Sequence, residues 1–589
     1  MGIRGLTSFV KHIPEQAGVW TKTFLSSTKL VIDGNNLLYH LYSSSGLDTQ
    51  CGGQYLEYYQ LTRVFFLTLK KNDVEMVVVR DGVSGDDLTL SKKRESIREI
   101  IRKVQNFDTG KVVYPRFIDE LFYMAAADSL VEIVMCDYEA DEVAANLAKE
   151  KRCPVLSNDS DFYLFDIPMG VIPLPDVFQL QQNEGPLQCQ SYHRDAFLHH
   201  IKLSAEFLPL LAVLVGNDFT NNDQLKPLHQ YLRERNRALG TSFRSTTREN
   251  PITTVIAWLN QFRYVKLAEA DAKSHASGFH NFGAILEKSK AKFSSFERLN
   301  CSVKMIDGND FPDWVIESFK MMRFRKIAVR AACRGHIILY PQMEDIKRPT
   351  ADTCSRPIRQ VIYAILFKDL ETAYSQRKVI EIGRADGDDN LEDYEVDISN
   401  SPNLCSLAEI ESMSCKERLD ILFSAAGCDF SKFHNLDSKL VLPAIALYYW
   451  CHLETHQVLD RAVYAAVFSF VTCYLKFNQL VKKATHCLDM PQLPMEEEHQ
   501  QQELDLEVAH CLAEFQSILY YIMILNSVLD FPLPDFNVAA VFNGLMAHRA
   551  ASEYHTYEDF LDASENSHLF ADICKLLGRN QDGTDSTYV

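Results

Sequence analysis

The chain has 589 residues, a 47% hydrophobic fraction and a formal net charge of −19. That length exceeds one compact core and implies roughly three or four domains, and the ordinary apolar content excludes widespread disorder. The acidity excludes blanket electrostatic binding to nucleic acid or an anionic membrane, so any DNA contact must rest on local positive charge.

Fifteen cysteines, odd in number and without CxxC pairs or zinc spacing, suit a reduced intracellular protein. No secretory signal is expected, because the first residues lack an apolar core before a small-residue cleavage site. Leu6 stands where a myristoylation signal needs Ser or Thr.

Up to about residue 230, short β-branched runs alternate with helical patterns. The runs predict strands over 29–32, 76–79, 132–136 and 154–157; the 3.6-residue periodicity predicts helices over 62–70, 90–104 and 140–149. Such alternation implies an α/β fold with a mainly parallel sheet flanked by helices. Seven carboxylates fall in this region: Asp33, Asp81, Glu139, Asp141, Asp159, Asp161 and Asp218. Most end or follow an apolar run, and loops beyond the carboxyl ends of parallel strands share one rim. Acids gathered there would repel one another unless cations neutralised them. Hard oxygen ligands favour Mg²⁺ or Mn²⁺, which points to metal-dependent phosphodiester chemistry.

Singly, each acid has a plainer reading. A strand-terminal Asp33 or Asp81 also serves as a helix cap or turn former. Glu139 and Asp141 cannot share a face of a regular helix; they pair only if the helix starts around them, with Glu142 as the alternative partner. Asp159 and Asp161 need only an extended loop.

Beyond residue 230 helical patterns dominate, over 357–374, 404–425, 440–453 and 503–525. The acidic stretch from Arg384 to Asn400 reads as a linker over 384–402. Its partial imitation of a calcium loop fails, because Leu391 stands where Gly is required and Asp397 replaces the final Glu. A second exposed connection is expected over 491–502, and a mobile tail over 579–589. The apolar run near 462–475 is too short to span a bilayer and reads as a buried helix. No membrane association is expected.

The opening Met1-Gly2-Ile3-Arg4-Gly5-Leu6 resembles the N-terminus of the flap endonuclease (XPG-type, PIN-like) nuclease superfamily. The resemblance continues, in family order, through Val31-Ile32-Asp33-Gly34, Arg80-Asp81-Gly82, Tyr138-Glu139-Ala140-Asp141-Glu142, Ser157-Asn158-Asp159-Ser160-Asp161 and Gly216-Asn217-Asp218. The long helical second half and Arg356-Pro357-Ile358-Arg359-Gln360 are most similar to the asteroid homologs. The resemblance implies a PIN-like nuclease core over 1–220, with an arch segment near 85–130. It is followed by a helical, partly basic extension over 221–383, the linker, and a helical domain over 403–578. It also implies two Mg²⁺ (or Mn²⁺) ions roughly 4 Å apart, acting on both the attacking and the leaving oxygen. Asp33, Asp81, Glu139 and Asp141 would form one side, and Asp159, Asp161 and Asp218 the other.

The same resemblance places Lys92, Lys93, Arg94, Arg98, Arg102 and Lys103 at the base of an arch, where basic side chains steer the scissile phosphate. The family lysine expected soon after Asp81-Gly82 is missing, and Lys92, Lys93 and Arg94 are its candidate replacements. Glu95 supports a competing reading, a solvated ion-paired face. Tyr39 aligns with a base-stacking tyrosine, although periodicity alone allows a core position. Gly2 has no side chain to obstruct approach to a sugar-phosphate backbone. After Asp218 the glycine-rich turn of the family's helix-hairpin-helix is absent, while Lys226, Arg233 and Arg237 keep the segment basic.

These features imply an endonuclease acting on DNA with single-stranded character (overhangs or flaps) in repair of DNA ends such as double-strand breaks, and hence nuclear residence. RNA cleavage is a further reading. The main rival is a catalytically weak scaffold that works through protein partners of the helical half.

Overall fold

The structure is a computed structural model. It describes residues 2–83, 87–106, 112–174, 186–220, 222–242, 250–276, 281–294, 305–306, 309–368, 378–398, 404–453, 458–484 and 504–579. The connection expected over 491–502 and nearly all of the expected tail lie outside the described residues. Two compact units interleave along the chain. The first comprises 1–37, 68–81 and 139–301, and the second 38–67, 82–138 and 302–589. The expected boundary at 220 is therefore corrected. Helices Asn222–Ala238, Pro251–Leu259, Val265–His275 and Phe282–Ser294 continue the first unit. Their buried faces, including Ile252, Ile256 and Leu286, are completed there, and composition carries no trace of that.

In the first unit, β1 (Trp20–Leu25), β2 (Thr28–Asp33), β3 (Val74–Arg80), β4 (Val155–Leu156), β5 (Val171–Ile172) and β6 (Leu187–Tyr192) lie in the order β1-β6-β5-β4-β2-β3. The pairs β2/β3, β2/β4 and β4/β5 are parallel. β6 runs antiparallel to both β5 and β1, so the sheet is mixed around a parallel centre. Leu30, Val31, Ile32, Val77, Val78, Val155 and Leu156 are buried; such continuous apolar runs are what strands covered on both faces require. The chain leaves β2 toward β3 on one side and leaves β4 toward β5 on the other. The carboxyl ends of β2 and β4 therefore flank a topological switch point, where crevices form in open α/β sheets.

In the second unit, Asp87–Asn106 is one helix, with Ile97 and Ile101 packed against Ile338 and Ile382. The latter two belong to a three-stranded sheet of His336–Ile338, Lys378–Arg384 and Leu391–Asp397. The expected acidic linker is corrected here: Leu391–Asp397 pairs antiparallel with Lys378–Arg384 along its whole length. Its acids sit on a strand paired on one side in this sheet, where charge discourages further pairing, and they imitate the composition of a solvated loop.

Within the same unit Arg359, from the asteroid-like motif, is fully buried. Its Nε and Nη2 donate to Glu381 at 2.5 and 2.8 Å, and Tyr363 donates to the same carboxylate at 2.8 Å. Leu506–Val528 is long and apolar enough to cross a membrane, yet 94% of its apolar window is buried. It is a core helix among Ser438–Cys451, Asp460–Ala484 and Gly544–Glu553.

Candidate metal centre and nucleic-acid surface

All seven predicted carboxylates belong to the first unit. Asp33 ends β2 and is 5% exposed; it accepts hydrogen bonds from the Asn36 amide at 3.1 Å and the Ser157 hydroxyl at 2.8 Å. The second bond joins the carboxyl ends of β2 and β4 across the switch point. The Asn158 amide reinforces it by donating to Asn36 Oδ1 at 2.8 Å. Asp81 follows β3 and accepts from the Ala140 amide at 2.7 Å and from Asn35.

Glu139 caps the N-terminal end of helix Ala140–Lys151 with an extended backbone, φ −74° and ψ 144°. Asp141 lies in the first turn of that helix. This is the geometry under which Glu139 and Asp141 can act together, and the helix N-terminus adds favourable potential for negative charge. Asp159 caps the short 3₁₀ turn Ser160–Tyr163 and Asp161 lies within it; Asp159 Oδ1 accepts from the Asp161 amide at 3.0 Å. Asp218 accepts from the Gly2 amide at 3.4 Å.

The electrostatics show these groups acting on one another. Burial raises the Asp33 pKa well above the usual carboxylate range, and Asp141 and Asp81 raise it further. Burial with Asp141 and Asp161 pushes Asp159 up to about 7. Glu139 is raised by burial against an opposing pull from Lys292, with Asp141, Asp81 and Asp218 adding to the rise. Like charges held this close each disfavour ionisation of the next, and Lys292 offsets that only in part.

Gly2 packs into the same cluster. With φ at +92°, its position would put a Cβ 2.3 Å from Asp159 Oδ1, 2.5 Å from Ser160 Oγ and 3.2 Å from Asp161 Oδ1. Only glycine fits there, and the approach it permits is to the acids.

Sequence reasoning missed Lys292. Its helix, Phe282–Ser294, buries Phe282, Ile285, Leu286 and Ser289 at three- and four-residue spacing, and Lys292 continues that face. The Nζ lies 2.6 Å from Asp161 Oδ2 and 2.9 Å from Asp141 Oδ2. A lysine at a core-face position was the available signal, but it stands over 70 residues past Asp218 in a segment without a motif.

The donor set fits a hard divalent cation. Asp161 is 2% exposed, and its Oδ1 is buried without a hydrogen-bond partner among the described residues, an acceptor that a cation would satisfy. Among the described residues no group of three His, Cys, Asp or Glu side chains forms a ready-made metal cage.

The predicted nucleic-acid residues divide between the units. Lys226, Arg233 and Arg237 are exposed on helix Asn222–Ala238 at seven- and four-residue spacing, which gives them one face. A turn closed by the Asn217 amide on Thr220 Oγ1 at 2.8 Å precedes that helix. In the second unit Tyr39 is on the surface, 43% exposed, with its ring centroid 4.7 Å from that of Tyr114. Arg98 and Arg102 are exposed and reach Glu95 at 3.2 and 3.8 Å; the first of these is the three-residue pair that the ion-paired reading rests on. Lys103 donates to the Val112 carbonyl at 3.4 Å. Arg94 is committed to Asp393 through two hydrogen bonds, at 2.7 and 2.5 Å, which weakens its case as the replacement lysine. Lys93 is half-buried; the side chain of Lys92 lies outside the described residues.

Comparison with known proteins matches residues 111–229 to an XPG domain model and residues 476–582 to the asteroid N-terminal domain model. The single-strand DNA endonuclease ASTE1 of Homo sapiens is 28% identical over 588 residues, covering 93% of this chain and 85% of the relative. Protein asteroid of Drosophila melanogaster is 36% identical over 171 residues, 28% of this chain and 20% of the relative. Among solved structures, flap endonuclease-1 from Methanococcus jannaschii aligns with a TM-score of 0.31 and 17% identity, covering 53% of this chain and 93% of the other. The two family-model matches and the sequence relatives bear out the resemblance to XPG-type nucleases and to the asteroid homologs.

Proposed function

We propose that this chain, a relative of the XPG-type nucleases of the asteroid kind, is a structure-specific DNA endonuclease that depends on Mg²⁺ or Mn²⁺ and cuts single-stranded DNA, overhangs or flaps. The observation that carries the reading is the gathering of carboxylates about the carboxyl ends of the strands, with Asp33 ending β2, Asp81 bonded to the helix start that carries Glu139 and Asp141, and a buried Asp161 oxygen without a partner among the described residues. Asp33, Asp81, Glu139 and Asp141 on one side, and Asp159, Asp161 and Asp218 on the other, would supply the oxygens that hold the metal. Bound there, such ions supply charge stabilisation for in-line displacement at phosphorus and lower the pKa of water. Ser157 and Asn36 fix the Asp33 carboxylate, and Ala140 with Asn35 fixes Asp81. Lys226, Arg233 and Arg237 offer phosphate contacts on the first unit, and Tyr39 with Tyr114 offers a stacking surface on the second.

The preference for single strands draws on the segment after Asp218. A turn held by Asn217 and Thr220 leads into a helix with Pro227 inside it, where the family carries a glycine-rich duplex grip. Action on DNA ends in the nucleus follows from that substrate. The scaffold reading draws on Lys292, whose ammonium neutralises part of the acid set without a metal.

Cleavage of matched single-strand, 3′-overhang, 5′-flap and full-duplex substrates by the whole chain separates these readings. We expect single-strand and overhang cleavage at least about tenfold faster than duplex cleavage, a difference of roughly 1.4 kcal/mol in barrier. Equal duplex cleavage would remove the substrate assignment, and inactivity on every DNA with either metal would favour the scaffold.

A further inference from the structure

The Lys292 ammonium touches Asp161 at 2.6 Å and Asp141 at 2.9 Å, and those two acids belong to opposite sides of the expected two-ion set. Lys292 is 8% exposed and Asp161 2%, so the pair interacts with little solvent screening, and a second cation brought to the same oxygens would meet strong repulsion. Both Asp161 Oδ2 and Asp141 Oδ2 are occupied, whereas Asp161 Oδ1, on the side facing Gly2 and Asp159, has no partner among the described residues.

We propose that Lys292 serves as a built-in cation that takes the place of one of the two divalent ions, so that the substrate-free centre binds a single Mg²⁺ or Mn²⁺. This rests on the reading of the centre as a metal site. A lysine from outside the acid-bearing motifs then sets the metal count of this nuclease. A merely structural ion pair would be displaced, or would stand beside two bound ions.

The test is the stoichiometry of Mn²⁺ binding to the full-length protein without DNA, by calorimetry and by the loss of the free-ion electron paramagnetic resonance signal. Wild type is expected to bind one ion, Lys292→Arg one, and Lys292→Met two. Mn²⁺ should raise the melting temperature of Lys292→Met more than that of wild type, because it neutralises Asp141 and Asp161 newly left without a counter-charge. Two ions in wild type, or one in both wild type and Lys292→Met, would overturn the proposal while leaving the metal-site reading intact. No binding by any of the three would overturn both. Should Lys292→Met fail to fold by circular dichroism, Lys292→Gln takes its place with the same expected count of two, and two ions in wild type would overturn the proposal without any variant.

Discussion

The residue that most tightly constrains the candidate centre is Gly2. Its left-handed backbone and the 2.3 Å that would separate a Cβ from Asp159 Oδ1 make any side chain there push directly on the acids. Gly2→Ala is expected to slow single-turnover cleavage by about tenfold to a hundredfold, the cost of displacing reacting groups by about an ångström, with little loss of secondary structure by circular dichroism. Unchanged cleavage would mean that the acids at this edge do not hold the reacting geometry. The reading from sequence gave Gly2 a role toward the sugar-phosphate backbone; the structure points its bare Cα at the carboxylates. The acids themselves were legible, since each belongs to a short motif, and most end a strand or open the segment after one. Lys292 was not, since only the packing of its helix brings its ammonium to Asp141 and Asp161.

At the scale of elements, the buried pair Arg359–Glu381 shows why the asteroid-like motif reads as structure. Arg359 lies on helix Arg356–Leu366 and Glu381 on strand Lys378–Arg384, both fully buried. Removing one partner leaves an uncompensated charge in the interior, so Arg359→Ala should cost about 3–5 kcal/mol in chemical denaturation. The double change Arg359→Met with Glu381→Met should cost much less, since no orphaned charge remains. Equal losses for the two would show that packing rather than the ion pair dominates. Strand and helix positions in the first half followed well from period and burial, as with 29–32 against Thr28–Asp33 and 90–104 against Asp87–Asn106. The strand Leu391–Asp397 did not, because acids on an outer strand have the composition of a loop, and only the pairing with Lys378–Arg384 distinguishes them.

Across the whole molecule, periodicity located elements without saying which of them pack together, so the interleaving of the two units was beyond the sequence reading. The carboxylate centre and the exposed Lys226, Arg233 and Arg237 fall in the first unit; Tyr39, Arg98, Arg102 and Lys103 fall in the second. The central claim is that the acid centre performs metal-dependent hydrolysis. The direct measurement is cleavage of single-stranded DNA by the full chain with Mg²⁺ or Mn²⁺, with chelator, and by Asp33→Ala with each metal. Cleavage by wild type that stops with chelator, and at least about a thousandfold loss in a folded Asp33→Ala, roughly 4 kcal/mol of barrier, is the predicted result. Wild-type cleavage that persists with chelator, or a folded Asp33→Ala that cuts as fast as wild type, would contradict it.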